Sequence, residues 1–373
     1  MNVCPYFKVC GGCDFQDLGY EIQISRKRFF LSKLLGVSEE VISVFYDNPY
    51  NYRNRMDFIF HVNGLGLRKR GDWSKIVDVD YCNIADERIN NLLKEVRDFF
   101  KNPDYFDVKN HSGTLRYAVI RVANESSISF VLNSESSRIS FAVNKIKEFS
   151  RNSNVNNVVV TFVKPDTDVS VSNDFFVVKG SDKLSIDLMN KKFFFSVQGF
   201  FQNNTLMAEK MHFYINDLIR KSDLNTKDVV LLDLYSGVGT FGIINSDLFK
   251  KVFLVELDKN SFNSSLENIK FNNAFNVSAF NLDCSKIKKI PLKNNEDFFI
   301  IMDPPRSGVN NKTLIALKEL KPRKIIYVSC NPKELLRDIK KLKEYKTKSI
   351  AFFDFFPQTK HMEVIVELER KIL

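Results

Sequence analysis

The sequence predicts an α/β protein in which a C-terminal Rossmann-like sheet of seven strands follows an N-terminal α+β domain bearing a cysteine cluster. Three observations predict it. Beyond residue 205, seven short apolar, β-branched runs alternate with longer amphipathic stretches, the rhythm of βαβ units around a largely parallel sheet. Before it, segments alternate apolar with polar residues and lack that rhythm, which indicates an antiparallel sheet with some helix. At the start, Cys4, Cys10 and Cys13 form C-x5-C-x2-C with Gly11 and Gly12 between them.

In chain order, "MDFIFHV", "YAVIRVA", "SISFVLN", "VVVTFVK" and "KKFFFSVQ" are the strand-like segments of the first half, and "SFAVNKIKEFS" is its clearest helix. The boundary is set at 204/205, ahead of the helix-like "LMAEKMHFYINDLIRK", giving an N-terminal domain over 1–204 and a C-terminal one over 205–373. The C-terminal runs are "VVLLDLYSG", "VFLVELD", "VSAFNLD", "FFIIMDPPR", "KIIYVSC", "SIAFFDFFP" and "MEVIVELER". Only "QTKH" separates the last two, too short for a helical crossover, so they should pair antiparallel at one edge. No repeat or low-complexity linker interrupts the chain.

At 373 residues the chain is long for one core, and two domains are expected. Lys and Arg outnumber Asp and Glu by 55 to 45, a net charge of +10. That excess suits a polyanion such as nucleic acid better than a small neutral substrate, although solubility alone also accounts for it. No apolar run is long enough to cross a bilayer, and "MNVCPYFKVCGG" is neither a signal nor a transit peptide. A cytoplasmic monomer without membrane association is expected. Six cysteines are too few for a disulfide scaffold, so clustered thiols read as metal ligands or nucleophiles.

"LLDLYSGVGTFGI" is a strand that ends in a glycine turn and opens a helix. Gly237 and Gly239 allow close approach of backbone to a ligand. Glu256 ends the next strand, where a carboxylate can accept bonds from both ribose hydroxyls. Asp283 and Asp303 end the third and fourth strands; Asp283 reads equally well as a helix N-cap. A dinucleotide dehydrogenase is the main competitor for this glycine turn, whose Gly237, Gly239 and Gly242 fall at Gly-x-Gly-x-x-Gly spacing.

"DPPRSG" (303–308) and "SCNP" (329–332) close adjacent predicted strands. Adenine amino-methyltransferases carry an Asn-Pro-Pro-Tyr-like loop at the first place. Arg306 replaces its aromatic and a thiol closes the next strand, which points to methylation of carbon. A thiolate adding to C6 of uracil turns the ring into an enolate whose C5 can attack a methyl sulfonium. A nucleophile for that step must be exposed at a strand end, where Cys330 stands. A base must then remove the C5 proton, and "KHMEV" offers His361 and Glu363.

Through "CPYFKVCGGCDFQ", "YRNRMDFIF", "GFFQNN", "LDLYSGVGTFG", "DPPRSG", "YVSCNP" and "DFFPQTKHMEVI", the chain resembles the S-adenosylmethionine-dependent RNA uracil-C5 methyltransferases of tRNA and rRNA over nearly its whole length. The resemblance implies the seven-stranded methyltransferase sheet, S-adenosylmethionine as methyl donor and RNA, rather than DNA, as partner. It favours Glu363 as base. It matches Gln202, Tyr235, Glu256 and Asp303 to positions contacting the cofactor. Phe200 and Gln202 are candidates to hold the target base, which must leave its stack. The cysteine motif begins at residue 4, so the N-terminal β-barrel RNA-binding module of many members is not expected here. A cytosine-C5 methyltransferase, or an inactive cluster-bearing RNA-binding protein, are the rival readings. Cytosine enzymes typically place the thiol in a Pro-Cys context, absent here.

Zinc and [4Fe–4S] both take four ligands, and Cys82 and Cys284 are the candidates for the fourth. Cys284 neighbours the expected adenine pocket, whereas Cys82 lies in the same half as the trio. Spacing alone does not separate iron from zinc; the resemblance favours [4Fe–4S] on Cys4, Cys10, Cys13 and Cys82. The spacing is not the C-x3-C-x2-C of radical enzymes, so the cluster is expected to shape an RNA surface. "SRKRFF", "YNYRNRM" and "LRKRGDWSK" mix cations with aromatics, as phosphate contact and base stacking require. "SRKRFF" serves equally as the solvated side of an amphipathic helix, and "KIKKIPLKNN" reads as a charged loop.

Overall fold

A computed structural model describes residues 3–293 and 296–371, and all counts below are of these. The first two residues of the leader reading and the Asn-Asn ending the charged loop lie outside them.

Helix α1 (Tyr20–Leu35) ends in a Schellman-type turn, Gly36 at φ 69° donating its N–H to the Ser32 carbonyl. It leads to the short strand β1 (Ile42–Phe45). Then come β2 (Arg55–His61), β3 (Gly64–Lys69), β4 (Asp72–Asp78), α2 (Glu87–Phe99), β5 (Leu115–Val122), β6 (Ser126–Asn133), α3 (Ile139–Asn152), β7 (Asn157–Val163) and β8 (Phe175–Lys179). These strands form a seven-stranded sheet in the order β4-β3-β2-β5-β6-β7-β8. The sequence reading made it antiparallel. One pair, β6 with β7, is parallel because α3 carries the chain back between them. Phe58, Phe60, Ile120 and Phe130 of this sheet bury against Ile89, Leu93 and Val96 of α2 and Ile146 and Phe149 of α3. The basic run at 67–75 forms most of the β3–β4 hairpin, which the sequence reading did not separate as strands.

A hairpin of β9 (Lys183–Leu188) and β10 (Lys191–Ser196) precedes α4 (Thr205–Arg220), whose N-cap Asn204 accepts the Met207 N–H at 3.2 Å. The remaining elements are β11 (Val230–Leu234), α5 (Thr240–Ile244), β12 (Lys251–Glu256), α6 (Lys259–Phe271), β13 (Val277–Asn281), β14 (Phe298–Met302), α7 (Asn311–Leu320), β15 (Lys324–Ser329), α8 (Pro332–Lys341), β16 (Tyr345–Phe353) and β17 (Glu363–Arg370). As expected, β16 and β17 pair antiparallel while β11 to β15 run parallel.

The expected sheet of seven strands has eight. Its order is β1-β16-β17-β15-β14-β11-β12-β13, and β1 adds in parallel through Ile42↔Ile350 to Phe45↔Phe353. Four residues carry too little periodicity to be read as a strand from sequence. The strands are continuous apolar runs because both faces are covered. Leu231, Leu254, Phe299, Ile301 and Ile326 meet α4 and the β9–β10 hairpin, while Leu232, Phe253, Ile300, Ile325 and Phe352 meet α1, α7 and α8. Residues 20–45 therefore pack with the C-terminal sheet although they lie far from it in sequence. Among the described residues no helix is long and apolar enough to cross a membrane.

Candidate active site

Strand register builds the site. In the β15–β17 pairing Ser329 faces Val364, so the next residues outward, Cys330 and Glu363, end neighbouring strands side by side. Met302 pairs with Tyr327, and Asp303 follows Met302 on the third adjacent strand. Asn331 caps α8 by accepting the Lys333 N–H, and Pro332 occupies the helix's first turn. Squeezed between strand end and cap, Cys330 is half-buried rather than packed into the core. Asn331 also donates to the Arg306 carbonyl at 3.0 Å, tying "SCNP" to "DPPR".

Glu363 is 6% exposed and its Oε2 has no hydrogen-bond partner among the described residues. Burial and then the nearby Asp303 push its carboxyl well above the usual range, opposed by Arg306. Asp303 is partly open to the cavity, yet lost solvation pushes its carboxyl up to about 7. The Cys330 thiol is pushed up to about 11, first by burial, then by Glu363 and Asp303, with Arg306 again opposing. All three groups are thus shifted toward their protonated forms, and a cation arriving in the cavity would oppose the shift.

The glycine turn follows β11. Tyr235 adopts φ 58°, a left-handed conformation rare outside glycine, and Gly237 and Gly239 follow at 55° and 89°. Glu256 accepts the Gly237 N–H at 2.8 Å through Oε2 and the Asp258 N–H at 2.7 Å through Oε1, which locks the turn to the end of β12. Tyr235 lies beside Cys284, which burial pushes up to about 12. Asp283 caps the following turn through the Ser285 N–H at 2.7 Å, in keeping with its N-cap reading.

Gln202 lies on the turn after β10. Arg121, fully buried beneath it, donates to the Gly199 carbonyl at 2.6 Å and the Phe201 carbonyl at 3.3 Å and stacks over Phe195. Sequence reasoning missed Arg121, which it read as a strand residue of "YAVIRVA". Phe200 stands 69% exposed at the rim. His212 of α4 was also missed: it is buried against Phe241 with Nδ1 unpartnered among the described residues, and burial holds it down at about 3, hence neutral.

One cavity of about 1410 Å³ is lined by ten of the residues the sequence singled out: Cys330, Glu363, Gln202, Tyr235, Glu256, Asp303, Cys4, Cys10, Cys13 and Cys82. The four cysteines share one wall near enough to affect one another's charge, and Cys284 is not among them. The Gly12 N–H approaches Cys10 Sγ at 3.4 Å, and burial pushes Cys13 up to about 12. In kind and number these thiols suit a four-thiolate cluster. Among the described residues, no group of three or more His, Cys, Asp or Glu is spaced to hold a metal ion. Of the basic runs, Arg53, Arg55 and Arg68 reach the same cavity. Of "SRKRFF", Ser25, Arg26, Phe29 and Phe30 are exposed, as the solvated side of an amphipathic helix requires, while Lys27 is only 3% exposed.

The family model for tRNA (uracil-5-)-methyltransferase matches residues 19–371. The chain belongs to the tRNA (uracil-5-)-methyltransferase family. An uncharacterized RNA methyltransferase of Caldanaerobacter subterraneus subsp. tengcongensis is 33% identical over 98% of this chain and 84% of its own length. The tRNA (uracil(54)-C(5))-methyltransferase of Pyrococcus horikoshii is 32% identical over 98% of this chain and 85% of its own. The crystal structure of the Pyrococcus abyssi tRNA (uracil-54, C5)-methyltransferase with S-adenosyl-L-homocysteine superposes with a TM-score of 0.80 at 25% identity, covering 96% of this chain and 86% of that one. This family member is accordingly an S-adenosylmethionine-dependent RNA (uracil-C5)-methyltransferase, which sets aside the inactive-protein reading.

Proposed function

We propose that this methyltransferase modifies C5 of one uridine, in tRNA rather than rRNA, through a covalent adduct between Cys330 and C6. One observation carries the reading: Cys330 and Glu363 end adjacent strands by register, in one cavity with the glycine turn. The tRNA preference follows the substrate named for the Pyrococcus relatives.

In this reading the Cys330 thiol gives up its proton to solvent, Sγ bonds to C6, and the C5=C6 pair moves into an enolate. C5 takes the methyl group from the sulfonium, whose S–CH3 bond breaks to leave S-adenosylhomocysteine. Glu363 then takes the C5 proton, the C–H pair restores C5=C6, and the C6–S pair returns to Cys330. Burial makes Glu363 a strong base once ionised, and Arg306 favours that ionised form. Glu256 would hold the ribose, Tyr235 the adenine side, Gln202 and Asp303 the methionine end, and Phe200 the flipped base.

Cys4, Cys10, Cys13 and Cys82 would hold a [4Fe–4S] cluster, supported by their shared wall and by the position of Cys284 against Tyr235 instead. When bound, it would supply a fold-stabilising core for 4–16. The 1–204 region would contribute RNA grip and 205–373 the transfer chemistry, in a monomer.

The test uses labelled tRNA on a denaturing gel. Cys330→Ala should bind RNA yet form no adduct and transfer no methyl group. Glu363→Gln should transfer one methyl group and stall as a slow-migrating adduct through Cys330. Near-parent turnover by Glu363→Gln without adduct would refute the assignment and turn attention to His361, which also lines the cavity.

A further inference from the structure

Glu363 is delivered by the connection between β16 and β17, residues 354–362, which also brings Phe356, Thr359 and His361 to the cavity. This connection makes its polar contacts with the opposite end of the chain. Lys27 of α1 donates to Asp354 Oδ1 at 2.6 Å, to the Phe356 carbonyl at 3.3 Å and to the His361 carbonyl at 2.9 Å. An ammonium has three protons, and here each has an acceptor. One turn earlier, Gln23 exchanges two bonds with Gln358, at 2.9 and 3.1 Å. Tyr20 donates to Asp354 Oδ2 at 2.9 Å. The Asp14 and Phe15 N–H groups both reach the Gln358 carbonyl, next to Cys13. Gln358 is held at φ 67°, a conformation a non-glycine residue keeps only when its surroundings impose it.

Tyr20, Gln23 and Lys27 recur at one helical face, so α1 presents a row of donors to one stretch of backbone. Lys27 is 3% and Asp354 0% exposed. A buried ion pair is a poor source of net stability, since desolvation cancels much of its attraction. What it supplies here is geometry: a single charged centre fixes Asp354, Phe356 and His361, the last of them two residues before Glu363. The far end of β17 is held separately, by the buried Lys324 on Glu367 at 3.3 Å.

We propose that Lys27, through its buried tie to Asp354, is a positioning residue for the elimination step: it holds the 354–362 connection so that the Glu363 carboxylate faces the C5 proton. The inference rests on the reading of Glu363 as base. Lys27 does not line the cavity, and addition and methyl transfer, carried by residues at the ends of β11, β12, β14 and β15, do not depend on it. A displacement on the order of 1 Å at a proton-transfer site slows the step by roughly 100-fold.

Lys27→Met alone strands a buried carboxylate and can unfold the protein. The primary variant is therefore Lys27→Met with Asp354→Leu, which removes both charges, and Glu363→Gln is its control. Single-turnover methyl transfer to tRNA and the level of covalent adduct are measured for each. The expected result is transfer within about threefold of parent, roughly 10- to 100-fold slower product release, and adduct accumulating as in Glu363→Gln. If Glu363→Gln accumulates adduct and the double variant does not, whether it turns over normally or loses transfer and release in proportion, the positioning role is overturned while the base assignment stands. If Glu363→Gln itself accumulates none, the base assignment falls and this inference with it.

Discussion

Removing the Glu256 carboxylate should weaken cofactor binding without discriminating between substrate and product forms of the cofactor. Both its oxygens already accept backbone N–H groups, from Gly237 at 2.8 Å and Asp258 at 2.7 Å, and each oxygen keeps a lone pair for a ribose hydroxyl. Glu256→Ala therefore deletes the ribose acceptor and frees a turn held at positive φ. A charge-assisted hydrogen bond contributes about 1.5–3 kcal/mol, and the group is only partly buried, so the expected loss is one such bond's worth, roughly 10- to 160-fold in Kd. Because the ribose is common to both, S-adenosylmethionine and S-adenosylhomocysteine should lose equally. Glu256→Gln, which retains one carbonyl acceptor, should lose less. Isothermal titration calorimetry with both ligands decides it, with thermal unfolding as the check on folding. An unchanged affinity, or a loss confined to the sulfonium form, would refute the placement of the ribose on Glu256.

Other expectations follow from the same site. Asp303, pushed up to about 7, should release a proton when a sulfonium arrives, because a neighbouring cation favours the charged carboxylate. S-adenosylmethionine affinity should accordingly rise with pH and level off above about pH 7, whereas S-adenosylhomocysteine affinity should stay flat and Asp303→Asn should abolish the difference; calorimetry in buffers of differing ionisation enthalpy reads the proton. A Cβ on Gly242 would sit 2.3 Å from Leu254 Cδ2 and 3.1 Å from Asp233 Oδ2, so Gly242→Ala should destabilise by about 1–3 kcal/mol in a denaturant titration, and an unchanged midpoint would contradict the packing. Protein purified without oxygen should be brown, and Cys82→Ser should lose iron by colorimetric assay; loss from Cys284→Ser instead would overturn the ligand set.

The chemistry of this protein was legible because it sits where strands end. Asp303, Cys330 and Glu363 are polar residues terminating apolar runs, a pattern that sequence displays directly, and the register of the sheet then brings them together. The glycine turn was legible for a similar reason, its left-handed residues being partly glycine. What sequence could not display was support from a distance. Arg121 reads as one more strand residue, and only the fold reveals the Gly199 and Phe201 carbonyls above it. Lys27 reads as solvated because its basic neighbours are, yet its partner lies over three hundred residues away. Strand β1 is too short to announce itself and is defined by the edge it completes.

That edge strand also sets a timetable. Ile42 emerges early in synthesis but pairs with Ile350, so an apolar segment must wait for about three hundred further residues, on the order of 15–60 s at ordinary translation rates. Until then neither β1 nor the apolar side of α1 has the surface it is meant to cover. A contact of such sequence separation forms late and slowly, leaving the nascent chain exposed to chaperones and to its own aggregation. A chain terminated before residue 345 would keep the glycine turn and Cys330, yet would lack both β16 and the base-bearing strand. Completion of synthesis, closure of the sheet and assembly of the catalytic pair are thereby one event.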